Sequence, residues 1–110
     1  MYKIIACDLD ETLLSDDRTI SKDNIEAIQK AKELGVKFVP ATGRGFNTVG
    51  GTLNDLGLYD LENEYVISYN GGAITENKGS KLLHFEGISF EKASVLYKRG
   101  LNYDVCIHVY

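Results

Sequence analysis

Ile4-Ile5-Ala6-Cys7-Asp8-Leu9-Asp10-Glu11-Thr12 opens as a continuous apolar run and then delivers two carboxylates two residues apart. The run is short and mostly without helical spacing, which predicts a central strand buried on both faces and ending at Asp8. Downstream, strand and helix signals alternate. Ser21 can N-cap a helix from about Lys22 to Leu34, because Ile25, Ala27, Ile28, Ala31 and Leu34 recur at helical spacing and Gly35 supplies the stop. Val36-Lys37-Phe38-Val39 reads as a second strand and Tyr65-Val66-Ile67-Ser68-Tyr69 as a third. Between them, after the Ala41-Thr42-Gly43-Arg44-Gly45 turn, a weaker helix runs to about Leu56, with Gly50-Gly51 costing about 1 kcal/mol per glycine relative to alanine. Such alternation is the signature of a layered α/β fold on parallel strands. Beyond Gly79 the pattern changes to a short strand from Lys81 to Phe85, a helix from about Phe90 to Arg99 and a strand from Tyr103 to Tyr110.

Composition narrows the function classes. A chain of 110 residues can bury one modest core, about two-thirds of its unfolded surface. Net charge is −4, and the basic residues are scattered, so nothing points to a nucleic-acid partner. No apolar run approaches the ~20 residues that span a bilayer, and Asp8 comes too early for a signal peptide, which together predict no membrane association and a cytoplasmic location. Cys7 and Cys106 lie far apart in apolar stretches and are expected to be a reduced, buried pair.

The chemistry gathers where the three predicted strands end, the carboxyl edge at which open parallel sheets bind ligands. Two like charges ~5 Å apart repel by roughly 3 kcal/mol at an effective dielectric near 20, so Asp8 and Asp10 call for a counter-charge. Hard oxygen donors suit Mg²⁺, which takes one or two carboxylates and completes its shell with water and substrate phosphate. Thr12, Thr42, Arg44 and the glycine-flanked backbone amides could then hold phosphate oxygens. Taken alone, Asp8 and Asp10 could also be solvated loop acids, Thr42-Gly43-Arg44 an ordinary turn, and Asn70-Gly71-Gly72 a hairpin turn into Ala73-Ile74-Thr75. His84 and His108 read as strand-packing or solvent-exposed residues, and Tyr97, Tyr103 and Tyr110 as core of a second, smaller unit.

Asp8-Leu9-Asp10-Glu11-Thr12-Leu13-Leu14 resembles the first motif of the haloacid dehalogenase (HAD) superfamily, Asp-x-Asp-x-Thr after the first strand. Thr42-Gly43-Arg44 after Val39-Pro40-Ala41 resembles the second motif of its Cof-type branch, the sugar-phosphatase-like subfamily IIB. Tyr69-Asn70-Gly71 is similar to the Asn-Gly segment those members carry after their third strand, and Thr19-Ile20-Ser21 fits before the helix. The resemblance implies a Rossmann-like core with a parallel sheet, incomplete with its first three strands over residues 1–79, and the start of a C2-type α/β cap over 80–110. It further implies a Mg²⁺-dependent phosphatase acting on small phosphorylated metabolites through an aspartyl-phosphate. Asp8 would be nucleophile and metal ligand, and Asp10 general acid and base, its backbone carbonyl also binding metal. Thr42 would bond the transferring phosphoryl group, and Thr12 would support the loop. Gly43, Arg44, Asn70 and Gly71 would line the site, with Arg44 and Asn70 assigned to substrate or phosphate.

Two departures accompany the match. Glu11 stands where the family usually has glycine, and its side chain is expected to point to solvent. The chain also stops before the lysine and acidic motifs that family members carry downstream; Lys78 and Lys81 do not sit in the required context. The magnesium site is therefore expected to be short of ligands, and the first strand to expose an edge along Lys3 to Cys7 through which the chain self-associates. A catalytically inactive, phosphate- or metal-binding remnant is the second reading. A receiver-like phospho-accepting module is the third, and the Thr-Gly-Arg and Asn-Gly matches oppose it.

Overall fold

The structure, a computed structural model, describes residues 1–109. Strand β1 (Ile4–Cys7) pairs in parallel with β2 (Lys37–Pro40), Ile4 opposite Lys37 and Cys7 opposite Pro40. Parallel neighbours need a crossover, and helix α1 (Lys22–Glu33) provides it. Ser21 Oγ accepts the Asn24 N–H at 3.3 Å, capping α1 as the sequence predicts. Gly35 follows the helix end at φ +79°, a conformation that glycine adopts without a side-chain clash.

The sheet continues past β2 through a parallel bridge between Ala41 and Ile67, where the Thr42 N–H donates to the Ile67 carbonyl at 2.9 Å. This seats β3 (Tyr65–Ser68) beside the end of β2, so the first three strands leave the sheet at one edge. Two further strands, β4 (Ala73–Glu76) and β5 (Lys81–Phe85), extend it antiparallel. The second helix is shorter than the sequence suggests: α2 covers Gly50–Asp55, after a separate single turn at Phe46–Thr48. The glycine pair explains the difference. It opens the helix, where first-turn amides lack intrahelical acceptors anyway, instead of weakening its middle.

One core lies under these elements, built from Leu9, Leu13 and Leu14 after β1, Ile28 of α1, Phe38 of β2, Leu53 and Leu56 of and beside α2, and Val66 of β3. The two helices are tied by Gln29 Nε2, which donates to the Leu56 carbonyl at 2.7 Å. At the strand-start edge, buried Glu64 lies between Lys32 at 3.9 Å and Lys37 at 3.8 Å, joining α1, β2 and the lead into β3.

The expectation that β1 is buried on both faces is not met. Ile4 is 62% and Ile5 41% exposed, because β1 pairs only with β2 and no element among the described residues covers its outer edge. The tail departs as well. Helix α3 (Phe90–Gly100) forms, capped by Ser89, but the expected strand from Tyr103 does not appear through Val109, and Tyr110 lies outside the described residues. A strand needs a partner for its backbone groups, and none of the described strands pairs with residues 103–109. Tyr97 and Tyr103 are consequently exposed instead of forming a small core, and Cys106 is exposed and free where burial was expected.

Candidate active site

The turn at Leu9–Leu13 holds the two acids in place by alternating burial. Leu9 and Leu13 point into the core, while Asp8, Asp10, Glu11 and Thr12 remain exposed. The Leu14 N–H donates to the Leu9 carbonyl at 2.9 Å and closes the turn. Thr12 Oγ1 donates to Asp8 Oδ2 at 3.0 Å, fixing one carboxylate oxygen and orienting the other.

Thr42 is only 4% exposed, and its backbone joins the second and third strand ends: its carbonyl accepts the Asn70 N–H at 3.1 Å. Its hydroxyl oxygen accepts the Arg44 N–H at 3.1 Å, which leaves the hydroxyl proton to be donated elsewhere. Arg44 reaches back across the edge, Nη1 standing 3.9 Å from Asp10 Oδ1 while Nη2 donates to the Thr48 carbonyl at 2.8 Å. Gly43 sits where a Cβ would lie 3.0 Å from Asn70 Oδ1, so the loops after β2 and β3 approach too closely for a larger residue without a shift of Asn70. Asn70 adopts φ +54°, a left-handed conformation that asparagine tolerates, and Gly71 follows at φ +93°. Asn70-Gly71-Gly72 is thus the β3–β4 turn as well as a wall of the edge.

All eight residues singled out from the sequence therefore fall on the three loops of one sheet edge. The histidines do not: His84 lies in β5 opposite Ile74, and His108 Nε2 is 3.3 Å from Cys106 Sγ. Lys78 is occupied at the β4–β5 turn, 3.4 Å from Asp60 Oδ2. Burial pushes the Cys7 thiol up, and the neighbouring Asp8 charge adds to it, so this cysteine stays protonated beside the acids.

Sequence reading missed two features. A cavity of about 540 Å³ opens beside Asp10, lined also by Glu11, Asp16, Arg18 and Arg44. Glu11 is exposed and is among the residues that line it, and its backbone stands at φ +59°, which costs a residue with a Cβ roughly 1–2 kcal/mol relative to glycine. The signal available was the family's usual glycine at this position. Asp8 and Asp10 offer hard oxygen donors that match magnesium in kind. Among the described residues, however, no cluster of three potential side-chain ligands forms.

The sheet thus brings paired acids, a hydroxyl and a guanidinium together on one edge. The model of the haloacid dehalogenase-like hydrolase family matches residues 5–110, and the chain belongs to that family. The Bacillus subtilis protein YxeH is 33% identical over 110 residues, all of this chain and 40% of that protein. Phosphatase YwpJ of Bacillus subtilis is 36% identical over 91 residues, 83% of this chain and 30% of its own length. Among solved structures, a haloacid dehalogenase-like hydrolase from B. subtilis superposes with a TM-score of 0.77 at 33% identity, covering 92% of this chain and 34% of that one. The subclass IIB sugar phosphatase BT4131 gives 0.73 at 27% identity, covering 91% and 37%. The chain thus spans two-fifths or less of the length of these proteins.

Proposed function

We propose that this chain carries the nucleophile half of a magnesium-dependent phosphomonoesterase that acts on small phosphorylated metabolites through an aspartyl-phosphate on Asp8. The observation that carries the reading is the joining of three strand ends: Thr12 holds Asp8, Arg44 faces Asp10, and Thr42 bonds both Arg44 and Asn70. The relatives named as phosphatases support the reaction class. In this reading residues 1–79 form the catalytic core and 80–110 begin a cap, and the protein works in the cytoplasm.

Asp8 attacks phosphorus with the carboxylate oxygen that Thr12 leaves free, while Asp10 gives its proton to the departing oxygen as the phosphorus–oxygen ester bond breaks. Asp10 then takes a proton from water, the water oxygen attacks phosphorus, and the bond to Asp8 breaks to release inorganic phosphate. Thr42 donates its hydroxyl proton to a phosphoryl oxygen throughout, and Arg44 or Asn70 contacts the substrate. Magnesium, held by the Asp8 carboxylate and the Asp10 carbonyl, would offset the negative charge that the phosphoryl group brings to two acids. Hydrolysis of p-nitrophenyl phosphate by the purified chain, rising with magnesium and lost with EDTA, tests the reading. Absence of turnover at every magnesium concentration favours the phosphate-binding remnant.

Thr42→Val keeps the shape of this buried residue but removes the donor. It is expected to lower kcat/KM about 100-fold, the lower end of the range for loss of one preorganised hydrogen bond to the reacting group; an unchanged value removes Thr42 from the phosphoryl site. Self-association is expected along β1, whose outer edge is unpaired and whose Ile4 and Ile5 face solvent. Light scattering should show species larger than a monomer, dispersed by Ile5→Lys; a strict wild-type monomer refutes this.

A further inference from the structure

We propose that Glu11 is a specificity-determining residue that disfavours substrates whose leaving group carries a second anion. This deepens the phosphatase reading and rests on it. Glu11 stands between Asp10 and Thr12 on the turn that would carry the chemistry, and it is exposed and lines the cavity that opens beside Asp10. Its left-handed backbone, φ +59°, is one that glycine occupies without a Cβ penalty, so a charged residue is kept there against local conformational preference. Such an outlier at a functional edge is a reason to look for a role.

The charges around the cavity give that role its sign. Three carboxylates, Asp10, Glu11 and Asp16, line it against two guanidiniums, Arg18 and Arg44. Arg44 is already engaged by Asp10 and by the Thr48 carbonyl. Arg18 lines the same cavity as Glu11 and Asp16, and among the described residues none of these three forms an ion pair within 4.0 Å. A leaving group that departs past Asp10 therefore enters a net negative surface. The reacting phosphoryl group is held on the other side, by the Thr42 hydroxyl and the site amides. A second phosphate or a carboxylate beyond the ester oxygen meets Glu11 and Asp16 in the cavity, with Arg18 as the opposing guanidinium, so the balance of charge is against it. One charge at ~6 Å, at effective dielectrics from that of water down to half of it, weakens binding of a further negative charge roughly three- to tenfold.

Two non-hydrolysable probes separate this from the general reading. Phenylphosphonate and 4-carboxyphenylphosphonate differ by one carboxylate, and their dissociation constants can be measured on this chain by calorimetry with magnesium present. The wild type is expected to bind the carboxylated probe three- to tenfold more weakly. Glu11→Gln, which keeps shape and backbone conformation, should bring the two affinities together, and Arg18→Ala should widen the gap. A gap unchanged in Glu11→Gln overturns the proposal, as does a wild type that prefers the carboxylated probe and loses that preference in Arg18→Ala. Glu11→Gly serves as a structural control: relief of the left-handed backbone raises Tm, and a merely structural Glu11 would show that rise with no change in the affinity ratio. If neither probe binds the wild type, the phosphatase reading itself fails and takes this inference with it.

Discussion

Asp8→Asn is expected to abolish magnesium-dependent phosphate release by a factor on the order of 10³ or more, as loss of a covalent nucleophile does. The substitution is nearly isosteric, and the asparagine oxygen can still accept the Thr12 hydroxyl that now bonds Asp8 Oδ2 at 3.0 Å. The turn should therefore keep its shape. Asp8 is exposed, so stability should change by no more than about 0.5 kcal/mol, the usual range for a surface substitution. The combination of a lost rate and an unchanged Tm is the diagnostic result, because a contaminating phosphatase would leave the rate intact and a misfolded variant would lower both. Turnover retained in a folded Asp8→Asn protein, at a rate that stays proportional to the protein through further purification, would transfer the nucleophile to another residue and undo the assignments of Asp10 and Thr42 with it.

The elements that the sequence announced clearly were those whose signals are local. Ser21 and Gly35 bracket α1 because a cap and a stop act within a few residues. The meeting of Asp8, Thr42 and Asn70 at one edge was legible because alternating strands and helices force parallel strand ends to the same side. What failed depended on neighbours. Ile4-Ile5-Ala6-Cys7 has the composition of a buried strand, yet burial requires a covering strand or helix, and β1 has β2 alone. The stretch from Tyr103 has strand-like alternation but pairs with none of the described strands, and it stays irregular through Val109. At the site, the residue types were readable but not the conformation of Glu11 or the cavity that Arg18 and Asp16 share with Asp10, since these arise from the path of two loops.

Leu9→Ala is expected to be the most damaging substitution outside the reacting groups. Leu9 is fully buried in the core, and truncation of such a leucine costs about 2–5 kcal/mol in lost transfer energy and residual cavity. Total stabilities of single domains run about 5–15 kcal/mol, so a large part of the margin goes, and Tm should fall by roughly 10–20 °C. Leu9 also stands between Asp8 and Asp10, and its burial is what holds both acids out at the edge while the Leu9 carbonyl closes the turn through Leu14. A loosened Leu9 shifts both carboxylates, and a misplacement near 1 Å can cost about 10²-fold in rate. Leu58→Ala supplies the comparison. Leu58 is as fully buried, but its carbonyl accepts from Asn77 Nδ2 at the opposite end of the sheet. Both variants should therefore lose similar stability by chemical denaturation. At a temperature where both are folded, only Leu9→Ala should lose kcat, because only there is the packing that stabilises the core also the packing that aims the two acids.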